Sequence, residues 1–211
     1  MKQIETRDDL VACFERLGWT PGRDEVGDRN AEMRIGKKIL HPLLSRRDTR
    51  YAGNPNGFLL FEMGGWITCD AISAAYTLMK SPNKRLSHST PVENSPNYKI
   101  QQPLVYEDDV KAISDAYIKW GRNYDIDAGL ANLFNQETNQ SGAYPARHLA
   151  ALAACGEVET LTRYRDSFEA GERAGFRALY ITEDYIKTAL NFAQHRRADP
   201  NWLPNKPKMR V

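Results

Sequence analysis

The sequence predicts an α+β fold: a small, mostly antiparallel sheet with flanking helices in the N-terminal half, then a helical C-terminal half. Three observations predict it. Between residues 31 and 67, short apolar runs are bounded by turn-forming residues, as strands require. After residue 106, apolar residues recur at three- and four-residue spacing almost without interruption. The composition, 41% hydrophobic and 27% charged, is that of a chain able to bury a core.

The first element reads as a helix. Thr6 is a good N-cap and Asp9 stands three residues later, where its carboxylate can reach back to the cap. Leu10, Val11, Phe14 and Leu17 share one face, and Gly18 supplies the C-terminal residue able to take positive φ. Residues 20–30 are dense in turn formers and read as a loop. Strands are predicted at Glu32–Ile35, Ile39–Leu44 and Phe58–Met63, the first two as a hairpin across Gly36-Lys37-Lys38. Gly64-Gly65 is expected to end the third strand. A helix follows from Thr68 or Asp70, with Ile72, Ala75, Tyr76 and Met79 on its apolar face until Ser81-Pro82.

Residues 81–97 contain three prolines with many Ser and Asn, and read as a long exposed loop. A last strand is predicted over Tyr98–Val105. The next helix opens on Glu107-Asp108-Asp109, buries Val110, Ile113, Tyr117 and Trp120, and is expected to close at Gly121. Asp127 is expected to cap a short helix bearing Leu130, Leu133 and Phe134. Pro145 begins another, ending at Cys155-Gly156, and a third carries Val158, Leu161 and Phe168. The final helix starts at Thr182 and runs through Ile186, Ala189, Leu190 and Ala193 to Arg196-Arg197. This order divides the chain into a sheet region over 1–105, a helical region over 106–198 and an extended tail over 199–211.

The 29 basic and 27 acidic residues nearly cancel, which excludes an obligate polyanion binder but leaves room for a local basic patch. No run of apolar residues is long enough to span a membrane, and the first nine residues lack the apolar core of a secretory signal. Cys13, Cys69 and Cys155 are odd in number and widely spaced, so reduced thiols in the cytoplasm are expected.

Two places carry candidate chemistry. Cys69 lies in the first turn of a predicted helix, where backbone amides favour the nucleophilic thiolate; His88, in the polar loop, is the best-placed base, with His148 and His195 as others. Against this stands Asp70, whose charge opposes a thiolate, and the common fate of a lone cysteine as a small buried apolar residue. The second place is basic. Arg34, Lys37, Lys38, Arg46, Arg47 and Arg50 fall in a stretch whose only acidic member is Asp48. On one face they would suit an acidic protein or phosphates; as edge charges they would simply prevent sheet association. Trp202, between prolines in the tail, would serve either as a docking anchor or as a pin to the body.

Other signals are accounted for by structure. The histidines show no metal-ligand spacing, so no metal site is expected. The glycines match neither GxGxxG nor the phosphate-binding loop, so no cofactor is expected. The carboxylate pairs at 8–9, 108–109 and 183–184 all fall in first turns of helices, where the dipole explains them.

The order helix, strands, helix, strand, helix over residues 1–120 resembles that of the small α+β secretion chaperones, which pair into dimers and bind extended partner segments. The resemblance rests on element order without a motif, and this chain lacks the acidity typical of those chaperones. The helix pair at 145–175 is similar in pattern to the helical toxin-neutralising proteins of bacteria. The expectation is a non-enzymatic protein that binds another macromolecule, most readily an acidic protein, through Arg34–Arg50, the 81–97 loop and Trp202. The alternatives are a cysteine-dependent hydrolase or transferase using Cys69, and a nucleic-acid-binding accessory protein.

Overall fold

The computed structural model describes residues 2–23, 29–51, 54–80 and 90–204. In chain order the elements are α1 (Arg7–Arg16), β1 (Thr20–Arg23), β2 (Arg29–Ile35), β3 (Lys38–Asp48), β4 (Leu59–Cys69) and α2 (Asp70–Lys80). Then come β5 (Glu93–Asn94), β6 (Tyr98–Gln102), α3 (Glu107–Asn123), α4 (Ile126–Phe134), α5 (Tyr144–Cys155), α6 (Val158–Glu169) and α7 (Glu183–Ala198). This is the predicted α+β architecture, with an antiparallel sheet and a helical C-terminal half.

The contacts sort the chain into two compact units, Met1–Thr68 with Glu93–Tyr124, and Cys69–Val92 with Asp125–Val211. The predicted regions followed position in the chain, and packing follows a different logic. α3 counts with the sheet because it packs on α1, β3 and β6, whereas α2 packs on α5 and α7.

In the first unit the strand order is β1-β2-β3-β4-β5, with β6 also paired to β4. The register sets Met33 opposite Leu40 and Phe61 opposite Ile100, so these facing side chains of neighbouring strands share a face. α1 and α3 cover that face. α1 begins with the predicted capping box, Thr6 Oγ1 accepting from Asp9 N–H while the Asp9 carboxylate accepts from Thr6 N–H. Between the helices, Trp19 is almost fully buried and donates its indole N–H to Ser114 at 2.9 Å. Its ring meets Phe14 edge-on at 5.2 Å and Tyr117 at 5.8 Å; Tyr117 in turn meets Trp120 and Tyr98.

Several boundaries differ from the sequence reading, each for a packing reason. Residues 20–23, predicted as loop, form β1 because pairing with β2 satisfies backbone groups that propensity alone leaves open. β3 continues to Asp48, beyond the predicted Leu44. Gly64-Gly65 does not end β4, which runs on to Cys69. Gly65 takes φ +126 and lies so close to β3 that a Cβ would overlap the His41 carbonyl oxygen and come within 2.8 Å of the Tyr117 hydroxyl. It is a close-approach glycine inside a continuing strand. Gly121 does not close α3 either. It is buried where Leu40 packs, a Cβ there lying 2.5 Å from Leu40 Cδ2, and α3 continues to Asn123. β6 stops at Gln102, short of the predicted Val105, and the short β5 lies within the expected 81–97 loop. Asp125, two residues before the expected Asp127, caps α4 by accepting from Asp127 and Ala128 N–H.

The second unit is built round α5. Leu149, Ala150, Ala151, Leu152 and Ala153 are all inaccessible, and α2, α4, α6 and α7 pack against the helix. The alanines let neighbouring helices approach closely, while Pro145 and Gly156 mark its ends as the sequence predicts. His148, on α5, shares its Nδ1 with the Leu133 carbonyl at 3.1 Å and its Nε2 with the Tyr164 hydroxyl at 3.0 Å. A neutral ring with the proton on Nδ1 satisfies both, Tyr164 donating to Nε2.

Replacing Gly65 by Ala combines a disfavoured φ with a backbone overlap. The expected result is a loss of at least about 3 kcal/mol in urea unfolding, or failure to fold, measured by circular dichroism. Burial lowers the pKa of both His41 and His148 below the ordinary histidine value. The unfolded chain therefore takes up protons first as pH falls. Stability is full above about pH 6.5 and declines below it, with a shallower decline for His148→Gln, readable from urea midpoints at several pH values.

Candidate functional site

The strand period divides the basic stretch. Successive side chains on a strand point to opposite faces, so Arg46 and Arg47 cannot share one, and Arg34 and Lys38 lie on opposite sides of the β2–β3 pair. Lys38 turns toward α3, its Nζ donating to the carbonyls of Arg122 at 2.7 Å and Tyr124 at 3.0 Å, where it caps the helix end. Arg34 lies 3.7 Å from the Glu32 carboxylate. Lys37 is exposed in the β2–β3 turn.

The Arg50 guanidinium is held by Glu5 at 2.6 Å, Asp48 at 2.9 Å and the Pro103 carbonyl at 3.2 Å. Arg46 shares Asp48 at 2.8 Å and donates to the Glu5 carbonyl at 2.6 Å. The Arg50 guanidinium beside Asp48 holds that carboxyl well below the usual carboxylate range, and Arg50 lowers Glu5 as well. Arg47 is exposed and meets no carboxylate among the described residues. Two of the clustered cations, Arg46 and Arg50, thus tie the end of β3 and the residues after it to the N-terminal segment.

Cys69 is the last residue of β4, immediately before α2, whereas the sequence places it in the first turn of the helix. Its sulfur receives hydrogen bonds from the Ile72 and Ala71 amides, yet burial pushes the thiol up, with Asp70 adding to the rise. The side chain is 7% exposed, and a thiol so placed is a poor nucleophile. His88 lies outside the described residues, as do Lys84, Arg85, Lys206, Lys208 and Arg210. Trp202 is half-buried against α7, stacked on His195 at 4.4 Å and edge-on to Phe192 at 5.1 Å, while Arg196 donates to its carbonyl. It pins the start of the tail to its own helix. Among the described residues no group of three His, Cys, Asp or Glu side chains converges as a metal site, and no helix is long and apolar enough to cross a membrane.

The second unit carries a different surface. Leu179 is 82% exposed, and Tyr144 and Tyr180 are nearly half-exposed. Tyr180 is locked at the N-terminus of α5, where its hydroxyl donates to the Gly142 carbonyl at 2.6 Å and accepts from the Ala146 amide. Its ring meets Tyr185 at 6.2 Å. Burial pushes the Tyr185 hydroxyl up, while Lys80 pulls it down, and Lys80 lies 5.1 Å above the Tyr76 ring. At the other end Arg147 lies 5.5 Å over Tyr144. Tyr144, Tyr180 and Tyr185 make a tyrosine stripe by the start of α5, with Arg147 on Tyr144, Lys80 toward Tyr185 and Leu179 next to Tyr180 in the chain. The sequence signal was slight: Leu179-Tyr180 falls outside any helical period, between two elements.

A family model matches residues 6–194. The chain belongs to DUF6990, a family of unknown function. No curated protein and no solved structure is significantly similar to it. The match covers both units, so the sheet and the tyrosine stripe alike lie within the family's span.

The burial of Cys69 gives a direct expectation. Iodoacetamide at about pH 8 labels exposed Cys155 in the folded protein and leaves Cys69 unlabelled until denaturant is added. Fast native labelling of Cys69 would restore the nucleophile reading.

Proposed function

We propose that this protein is a non-enzymatic cytoplasmic binding module whose partner is another protein, held at the tyrosine stripe of the helical unit through an acidic and apolar segment. The observation that carries the reading is the exposure of Leu179, Tyr144 and Tyr180, with Arg147 over Tyr144 and Lys80 near Tyr185. Tyrosine and arginine are the residues that dominate interface energetics, because they bury large area with few rotatable bonds to immobilise. Tyr180 is already fixed by its two backbone hydrogen bonds, so little further ordering opposes binding. The two cations favour carboxylates on the partner.

Nucleic acid is the weaker candidate. Phosphate binding gains from several free cations on one face, whereas the Arg34–Arg50 stretch is split between faces, and three of its six cations are engaged by Glu5, Glu32 and Asp48. The free thiols accord with the cytoplasmic setting, because neither buried cysteine is bonded to another.

The test is a photo-crosslinker placed at Tyr144 or at Arg47 in the full chain, followed by affinity measurement with the protein recovered. Crosslinking is expected from Tyr144 and not from Arg47. Leu179→Asp and Arg147→Glu should each weaken binding by roughly thirtyfold, the equivalent of about 2 kcal/mol. Arg46→Glu with Arg47→Glu should leave it unchanged. Binding that depends on Arg46 and Arg47 instead sinks the reading, as does crosslinking to nucleic acid alone.

A further inference from the structure

Within the helical unit, α2 and α5 pack on each other and are nearly equal in length, at 11 and 12 residues, or about 17 Å each. They run antiparallel, as the groups at their ends show. Burial pushes the Tyr180 hydroxyl up, and Tyr76, in the C-terminal half of α2, adds to the rise. That hydroxyl is bonded to Gly142 and Ala146 at the start of α5, so the end of α2 lies by the beginning of α5.

The opposite end of the helix pair carries two cysteines. Cys69 is the residue immediately before α2, and Cys155 is the last residue of α5. Antiparallel helices of matched length bring these two positions to the same end. Their surroundings agree with that placement. Burial pushes both thiols up, Glu157 and Cys69 raise Cys155 further, and Arg196 on α7 opposes the rise in both. Arg196 is anchored at the same place, its Nε donating to the Ala154 carbonyl at 3.2 Å. The two thiols differ in access, Cys155 being exposed and Cys69 buried. Cys13, the remaining cysteine, belongs to the sheet unit.

We propose that Cys69 and Cys155 form a reversible redox latch, a disulfide that clips the start of α2 to the end of α5 in oxidising surroundings. The oxidant is a small disulfide such as oxidised glutathione. The exposed Cys155 thiolate attacks one of its sulfurs, forming a mixed disulfide and releasing one thiolate. The Cys69 thiolate then attacks the Cys155 sulfur and releases the second. The two protein thiols give up two protons and two electrons, and the small disulfide takes them up as two thiols. The order follows from access, because the oxidant meets Cys155 from solvent. Raised thiols hold little thiolate at neutral pH, so the latch answers sustained oxidation and ignores a brief pulse. Once closed, it restricts the unfolded chain between α2 and α5 and thereby stabilises the helical unit. The inference does not rest on partner binding at the tyrosine stripe, whose residues take no part in the exchange.

The experiment equilibrates the full chain at about pH 8 with graded ratios of oxidised to reduced glutathione. Samples are quenched with N-ethylmaleimide and digested without reduction for mass spectrometry. The expected product is one crosslinked peptide joining Cys69 to Cys155, with Cys13 recovered as a maleimide adduct after denaturation. The bond requires the two Cα atoms to come within about 7 Å, so the crosslink also tests the placement of the helix ends. The folded chain should form it at a glutathione ratio at least about tenfold less oxidising than the same chain in urea, and oxidation should raise the urea midpoint. Cys69→Ser should stop the reaction at the glutathione adduct of Cys155. Cys155→Ser, an exposed change that leaves the core alone, should give neither adduct nor crosslink. An adduct on Cys155 that never passes to Cys69, a crosslink that includes Cys13, or equal bonding in the folded and urea-unfolded chain overturns the proposal.

Discussion

The sheet unit depends on the closeness of β3 and β4 at Gly65. With no side chain there, the two backbones approach until the Tyr117 hydroxyl can reach the carbonyls of both His41, at 3.2 Å, and Trp66, at 3.3 Å. One phenol on α3 thereby fixes the distance between two strands and the depth at which the helix sits on them. The rest follows from that position. Tyr117 sets Trp19, Trp19 sets Ser114 and Phe14, and α1 is aligned with α3 through those rings. Burial pushes the Tyr117 hydroxyl up, so it stays a donor at any ordinary pH and the arrangement does not titrate away.

The helical unit has a different constraint, and it explains where its irregular backbone falls. α5 is buried along most of its length, and its run of alanines leaves little room to adjust. With the helices set this way, irregularity is pushed to the connections, where polar contacts hold it. Arg173 fastens the loop before α7 by three carbonyls, and Tyr180 fastens the start of α5. Such loops are ordered without being covered, which is the condition for preorganised recognition.

How much of this was legible in the sequence depends on the distance over which each signal acts. The helices were readable because their caps and periods are local: Thr6 with Asp9, Pro145, Gly156 and Thr182 act within one turn. The glycines at 64–65 and 121 misled because their role lies across the sheet, toward His41 and Leu40, and not along the chain. β1 was invisible for the same reason, since Thr20-Pro21-Gly22-Arg23 has turn composition and becomes a strand only through its partner. The paired carboxylates were read correctly, because capping is again local. Of the candidate sites, the position of Cys69 at a helix start was legible, but its burial was not, and burial decides its chemistry.

The basic stretch shows the same limit in its most consequential form. Along the chain, Arg34 to Arg50 has six cations against Asp48. In space the count changes twice. The strand period sends neighbours to opposite faces, and Glu5, forty-five residues from Arg50, supplies the carboxylate that the local sequence lacks. Ion pairs of this exposed kind contribute little stability, but they need not be strong to matter for recognition. A guanidinium already shared between two carboxylates must leave them before it can bind a phosphate, and that exchange has little net gain. Charge density in sequence is therefore a poor guide to binding on a sheet. Exposed apolar area differs from charge in that no opposite charge can offset it, and Leu179 is the most exposed large apolar side chain among the described residues.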